Sequence, residues 1–185
     1  KVLDIKDIKI PGKHNIENYM AAILATYSLV NTDTINHVAK NFSGVEHRVE
    51  YVRTINGVRF YNDSIGTTPS RTVASLQSFD QKVILIAGGY DKHIPYDIIG
   101  PLINEKVKGL VLMGQTKDKI KEAYNSYACN APLIEADTLE EAVKKAFDMA
   151  REGDIVIMSP ASASFDMFKN FEVKGNLYKQ IVNSL

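Results

Sequence analysis

The chain has 185 residues, 45% hydrophobic and 24% charged, the ordinary balance of a soluble globular protein with one full domain and room for part of another. Lys plus Arg equals Asp plus Glu at 22 each, and the basic residues are scattered, which argues against a dedicated nucleic-acid or membrane-surface binder. The one cysteine, Cys129, excludes an internal disulfide and suits a reducing cytoplasm, and no apolar run approaches the roughly 18 residues of a membrane span.

The start, Lys1-Val-Leu-Asp-Ile-Lys6, has no signal-peptide pattern and no initiator Met, as expected of a chain cut from something longer. Ile5 to Ile10 alternates with charged residues and predicts a short strand, broken at Pro11-Gly12. Asn15 to Val30 predicts a helix with Ile16, Tyr19, Met20, Ile23, Leu24 and Tyr27 on one face. Asn31-Thr-Asp33 caps a second helix, Thr34 to Phe42, ending near Gly44. Two helices without a sheet of their own predict the tail of a neighbouring domain.

From about Arg48 the pattern changes. Val49 to Thr54 and Val58 to Asn62 read as strands joined by an Asn56-Gly57 hairpin turn. Helices at Pro69–Ser78, Tyr96–Asn104, Thr116–Ser126, Leu139–Ala150 and Gly175–Asn183 then alternate with strands at Lys82–Ala87, Lys108–Met113, Leu133–Glu135 and Asp154–Met158. Short apolar strands alternating with helices predict an α/β fold with a mostly parallel sheet covered on both faces.

Ligands of such sheets bind outside the carboxyl ends of the strands. Three segments fall at such ends: Asp63-Ser-Ile-Gly-Thr67, Gly88-Gly-Tyr-Asp-Lys92 and Ser159 to Ser164. The last follows a buried strand with three serines among small residues and is expected to enter a helix, giving hydroxyls and free N–H groups that suit an anion. The same residues also read as a capped helix with a Ser-rich entry. Lys92 with the serines and Thr67 makes a carboxylate site, or Lys92 is a solvated loop lysine. Gly88-Gly89 lacks G-x-G-x-x-G spacing, and G-x-x-x-x-G-K-[ST] is absent from the chain, Gly12-Lys-His14 included. No Ser-His-Asp set and no metal-ligand spacing is present. Phe165 and Phe171, read alone, are core residues.

The stretch Ser159-Pro-Ala-Ser-Ala-Ser-Phe-Asp-Met-Phe-Lys-Asn-Phe171 resembles the closing motif of the Mur ligases. Gly12-Lys-His-Asn-Ile-Glu-Asn18, Gly44-Val-Glu-His-Arg48 with Phe60-Tyr-Asn-Asp-Ser64, and Ile86-Ala-Gly-Gly-Tyr-Asp-Lys92 agree with that family in the same order. The resemblance implies residues 1–47 as the end of the family's central ATPase domain and 48–185 as its Rossmann-like, amino-acid-binding C-terminal domain. It is closest to the D-glutamate-adding branch, which uses ATP and Mg2+ to join D-glutamate to UDP-N-acetylmuramoyl-L-alanine in peptidoglycan precursor synthesis. By the same resemblance, Thr67, Lys92, Ser164, Phe165 and Phe171 hold D-glutamate. Asn15 and Asn18 reach adenine, Arg48 the phosphates and Asp63 the ribose, while His47 approaches the nucleotide. The magnesium ligands and the phosphate-binding loop lie upstream, so this chain alone is expected to be inactive. A cytoplasmic monomer is expected. Ile65 stands where many relatives have lysine, and Tyr90 where some have an acid, so those two contacts do not carry over. Another ligase of the superfamily, such as folylpolyglutamate synthase, and a non-catalytic Rossmann-like module are the alternatives.

Overall fold

The computed structural model describes residues 1–127 and 129–185, apart from the Lys13 side chain. The Lys13 side chain of the Gly12-Lys-His14 motif and Ala128, beside Cys129, therefore lie outside the described residues. The chain divides into two compact units, Lys1–Val45 and Glu46–Leu185.

In the first unit the strand expected over Ile5 to Ile10 does not form. Ile5–Asp7 is a 3-10 turn, with Asp4 accepting from the N–H of Lys6. No strand lies among the described residues of this unit, so an extended segment there has no ladder partner for its N–H and C=O groups. Helix α1, Lys13–Thr26, starts after Gly12 at φ 100 and stops four residues before the expected Val30. Its apolar stripe splits. Ile16, Tyr19 and Ile23 are half-buried, whereas Met20, Leu24 and Tyr27 are exposed. Helix α2, Thr32–Asn41, is capped by Asn31, whose side chain accepts from Thr34 N–H at 2.9 Å, and buries Ile35 and Ala39.

The second unit is a six-stranded sheet between two layers of helices. Strands β1, Glu50–Ile55, and β2, Val58–Asn62, form an antiparallel hairpin. Asn56 and Gly57 at its tip have φ of 48° and 77°, which a two-residue turn between right-twisted strands requires. Strands β3 (Val83–Ala87), β4 (Val107–Leu112), β5 (Leu133–Glu135) and β6 (Ile155–Met158) complete the sheet in the order β1-β2-β6-β3-β4-β5, parallel throughout except for β1. Helices α3 (Pro69–Leu76), α4 (Gly100–Lys106) and α5 (Lys117–Ser126) cover one face, and α6 (Leu139–Asp148) and α7 (Phe171–Ser184) the other. A 3-10 turn, Asp97–Ile99, replaces the first turn of the helix expected from Tyr96.

Alternation along the strands builds both cores. Leu85 and Ala87 of β3 pack with Leu76, Ile99 and Ile120, while Ile84 and Ile86 pack with Val143, Tyr178 and Val182. Each such leucine, isoleucine or valine, taken fully out of water, contributes about 1.5–3 kcal/mol. The connection from β5 through α6 returns the chain to the middle of the sheet, so β6 lies between β2 and β3. Met158 is in register with both Asn62 and Ile86, and the three strands therefore end at one level. That reversal of strand order is where an open α/β sheet has its ligand crevice.

Candidate functional site

Three loops meet at that level because their strands are neighbours. The loop after β6 is tied to the loop after β2 by Ala161 N–H donating to Gly66 O at 2.9 Å, and to the loop after β3 by Gly88 N–H donating to Pro160 O and Tyr90 N–H to Ala163 O, both at 2.8 Å. A Cβ on Gly88 would lie 1.9 Å from Met113 O, and one on Gly89 2.2 Å from Ala163 O. Only glycine allows this approach of backbone to backbone.

The three serines have separate roles. Ser159 donates to the Asp63 carboxylate at 2.6 Å and contacts Thr72 Oγ1 at 2.9 Å. Ser162 Oγ lies 2.7 Å from both Tyr96 OH and Thr116 Oγ1, and Thr116 in turn accepts from Gly89 N–H at 3.1 Å. Ser164 Oγ is buried with no partner. The expected helix does not follow directly. Residues 161–170 form turns, α7 starts at Phe171, and Asn170 caps it by accepting from Val173 N–H at 2.9 Å. Of the three serine hydroxyls only that of Ser164 is thus free, and the helix N-terminus belongs to a later turn.

Lys92 is exposed on the loop after β3. Its neighbour Asp91 is engaged by Lys119 at 2.7 Å and by His93 at 3.6 Å, and the bond to Lys119 holds its carboxyl below the usual carboxylate range. Thr67 is half-buried after β2. Thr67, Lys92 and Ser164 therefore stand on three adjacent loops at one sheet edge. The two phenylalanines are not core residues. Phe165 is 65% exposed, its ring edge-on to Tyr90 at 5.9 Å, because it follows the serine loop before any helix begins. Phe171 is half-buried at the first position of α7, edge-on to the His47 ring at 5.8 Å. The structure does not give these rings a common partner.

Arg48 is exposed between two residues in the left-handed region, His47 at φ 66 and Val49 at φ 43. Such a φ is rare for any side chain and a genuine outlier for a β-branched one. Both are held from beneath. His47 is buried, its Nδ1 3.0 Å from the Asn62 amide and 3.2 Å from the Ser64 hydroxyl. Val49 N–H donates to Asp63 Oδ1 at 3.2 Å. Asp63 itself is buried, with Ser75 and Ser159 both donating to Oδ2 at 2.6 Å. Burial pushes its carboxyl upward, and the two hydroxyls oppose that. In the first unit, Asn15 and Asn18 share one face of α1, with Asn18 Nδ2 donating to Asn15 Oδ1 at 3.2 Å. Gly12 is the N-cap of α1, and Asn15 Nδ2 turns back to Pro11 O at 2.6 Å.

Sequence reasoning missed Lys174. The expected helix began one residue later, at Gly175, which left Lys174 in a loop. Helix α7 starts four residues before that, at Phe171, and this places Lys174 on its buried face. It is 1% exposed, donates to Gly88 O at 2.9 Å and lies 5.8 Å from the centre of the Phe168 ring. Burial depresses its ammonium to a pKa of about 8, with the Asp166 charge opposing. Thr116, Tyr96 and Asp166 were missed as well, since their roles exist only through long-range contacts.

Residues 47–162 match the family described as Mur ligase, glutamate ligase domain. The chain is 56% identical over its whole length to the UDP-N-acetylmuramoylalanine--D-glutamate ligase of Acetivibrio thermocellus, and 54% to that of Ruminiclostridium cellulolyticum. It spans 41% of the length of each of these proteins. Among solved structures, 96% of the chain superposes on 39% of the UDP-N-acetylmuramate-alanine ligase of Thermotoga maritima, with a TM-score of 0.70 and 16% identity. A folylpolyglutamate synthase of Mycobacterium tuberculosis, solved with ADP, matches 94% of the chain over 41% of its own, at a TM-score of 0.66 and 14% identity. At such identities the structural likeness speaks for the fold.

Proposed function

This chain belongs to the Mur ligase family, and we propose that it is the acceptor-binding part of an ATP-dependent ligase that joins D-glutamate to UDP-N-acetylmuramoyl-L-alanine. The observation that carries the reading is Ser164, whose buried hydroxyl has no partner, on a loop bolted to the loop of the exposed Lys92. A cation and an unpaired donor at the carboxyl ends of neighbouring strands suit a carboxylate ligand. The names of the relatives at 54–56% identity supply the amino acid.

In this mechanism Lys92 and Ser164 grip the side-chain carboxylate of D-glutamate, with Thr67 beside them, and Phe165 and Phe171 close its apolar side. That leaves the amine free to attack. The contribution is orientation and preorganised charge rather than a covalent step. ATP would supply the phosphoryl group that activates the carboxylate of the muramoyl peptide. Arg48 fits its phosphates, being an exposed cation on a segment fixed at both sides, and Asp63 would act by holding that segment as well as toward the ribose. Asn15 and Asn18 are the proposed adenine contacts. Among the described residues no group of three His, Cys, Asp or Glu could hold a metal ion, and the roles above belong to this chain's own side chains. Among them, too, no helix is long and apolar enough to cross a membrane. A monomeric cytoplasmic enzyme accompanies this reading.

The test is phosphate release by the full-length ligase carrying this chain, with ATP and UDP-N-acetylmuramoyl-L-alanine. D-Glutamate is compared with L-glutamate, L-lysine and meso-diaminopimelate as acceptor. Turnover with D-glutamate well above the others is expected, and a preference for L-lysine or meso-diaminopimelate would refute the assignment.

A further inference from the structure

Lys174 is a fully buried lysine that none of the roles above uses. An ammonium taken out of water is costly unless it is paired. Among the described residues no carboxylate lies within ion-pair distance of Lys174, and its hydrogen bond is to one carbonyl, that of Gly88. That carbonyl is shared with the N–H of Gly89 through a single peptide plane. The N–H end is held by Thr116 Oγ1 at 3.1 Å and the C=O end by Lys174 Nζ at 2.9 Å. On either side, Gly88 N–H donates to Pro160 O and Tyr90 N–H to Ala163 O. The plane therefore carries no side chain of its own to pack. Two hydrogen bonds hold the plane itself, of which only the Lys174 bond involves a charge. Lys92 follows three residues after Gly89.

We propose that Lys174 is a positioning residue, whose buried ammonium locks the Gly88–Gly89 peptide plane and thereby sets where the loop after β3 presents Lys92 to the acceptor carboxylate. This rests on the proposed role of Lys92. A charged donor to a carbonyl is stronger and more directional than a neutral one, which suits a turn held by backbone alone. Phe168, on the segment that carries Ser164, lies 5.8 Å from the same ammonium. One group on α7 thus bears on both loops that hold the ligand.

Lys174→Met tests the proposal, since it keeps length and removes the donor. Two readouts are taken. In the 185-residue chain, the Gly89 and Tyr90 amides should exchange with solvent at least about tenfold faster, while those of β4 stay as in the wild type. In the full-length ligase the KM for D-glutamate should rise at least about tenfold with the KM for ATP within about twofold. Lys174→Arg, which keeps a cationic donor, should recover both. Unchanged exchange at Gly89 and Tyr90 would overturn the proposal, as would equal rises in the two KM values, which would mark general loss of structure. Should Lys174→Met not fold, Lys174→Gln is judged by the same outcomes. If wild-type enzyme does not use D-glutamate, the function assignment fails, while the exchange measurement still decides the lock.

Discussion

Ser159 donates its hydroxyl to the buried carboxylate of Asp63 at 2.6 Å, across 96 residues of sequence. The bond joins the loops after β6 and β2, and the same carboxylate supports the backbone beside Arg48. Ser159→Ala should destabilise the second unit by about 1–3 kcal/mol, the cost of leaving a buried charged acceptor short of a donor. Asp63 already has a raised folded pKa, and losing a donor to its ionised form raises it further. The unfolded state is common to both proteins, so the deficit should be small below the raised folded pKa of Asp63 and grow as pH rises through it, above the usual carboxylate range. Urea unfolding of both proteins across that range measures this. A pH-independent deficit would show that the hydroxyl's partner is not the charge.

Lys92→Ala should raise the KM for D-glutamate by at least roughly tenfold in the full-length enzyme, given about 1.5–3 kcal/mol for a hydrogen bond to a charged group. The ATP KM should move less, since the proposed nucleotide contacts stand on Asn15, Asn18 and Arg48. Steady-state kinetics with each substrate varied in turn separates the two. An unchanged D-glutamate KM alongside a raised ATP KM would reassign Lys92 to the nucleotide.

The Lys174 ammonium has its pKa lowered from 10.5 to about 8 in the fold. Between these values the unfolded chain binds more protons than the folded one, so stability gains with rising pH. Below about pH 8 burial of the charge costs the fold on the order of 3 kcal/mol, and the cost is relieved progressively toward pH 10.5. Lys174→Met has no such term. The stability of wild type minus that of the variant should therefore rise from pH 7 to pH 10, whatever other groups titrate in both. A flat difference would mean that the lysine keeps an ordinary affinity for its proton.

Among its described residues helix α1 buries none fully, and α2 buries only Ile35 and Ala39, whereas every residue of β3 is buried. Hydrogen exchange of the 185-residue chain should show the amides of α1 opening at least about a hundredfold more readily than those of Val83 to Ala87. Equal protection would require a core for α1 that its exposed Met20 and Leu24 do not reveal.

The sheet and its order of elements were legible in the sequence because β3, β4 and β6 are short apolar runs bounded by turn residues, and such runs have few other uses. The hairpin was legible from Asn56-Gly57, two residues that tolerate positive φ. The first unit was less so. Alternation over Ile5 to Ile10 records polarity but not whether a partner strand exists, and the stripe on α1 is wider than what its own unit covers. At the site, Ser164 stood out by its motif. Its difference from Ser159 and Ser162 did not, since that depends on Asp63, Thr72, Thr116 and Tyr96, which lie 46 or more positions from their serine partners and meet them only through folding. Lys174 was hidden by a helix boundary misplaced by four residues. A lysine one turn into a helix defaults to solvent in any reading of pattern.

The left-handed pair around Arg48 has a consequence for how this region can vary. An L-residue in that conformation forgoes roughly 1–2 kcal/mol relative to a relaxed backbone, and glycine at Val49 would recover part of it. The same exchange would hand the arginine a pivot and scatter its guanidinium over many directions. Glycine at this one position would thus trade a gain in backbone comfort for a loss in the direction of the Arg48 side chain.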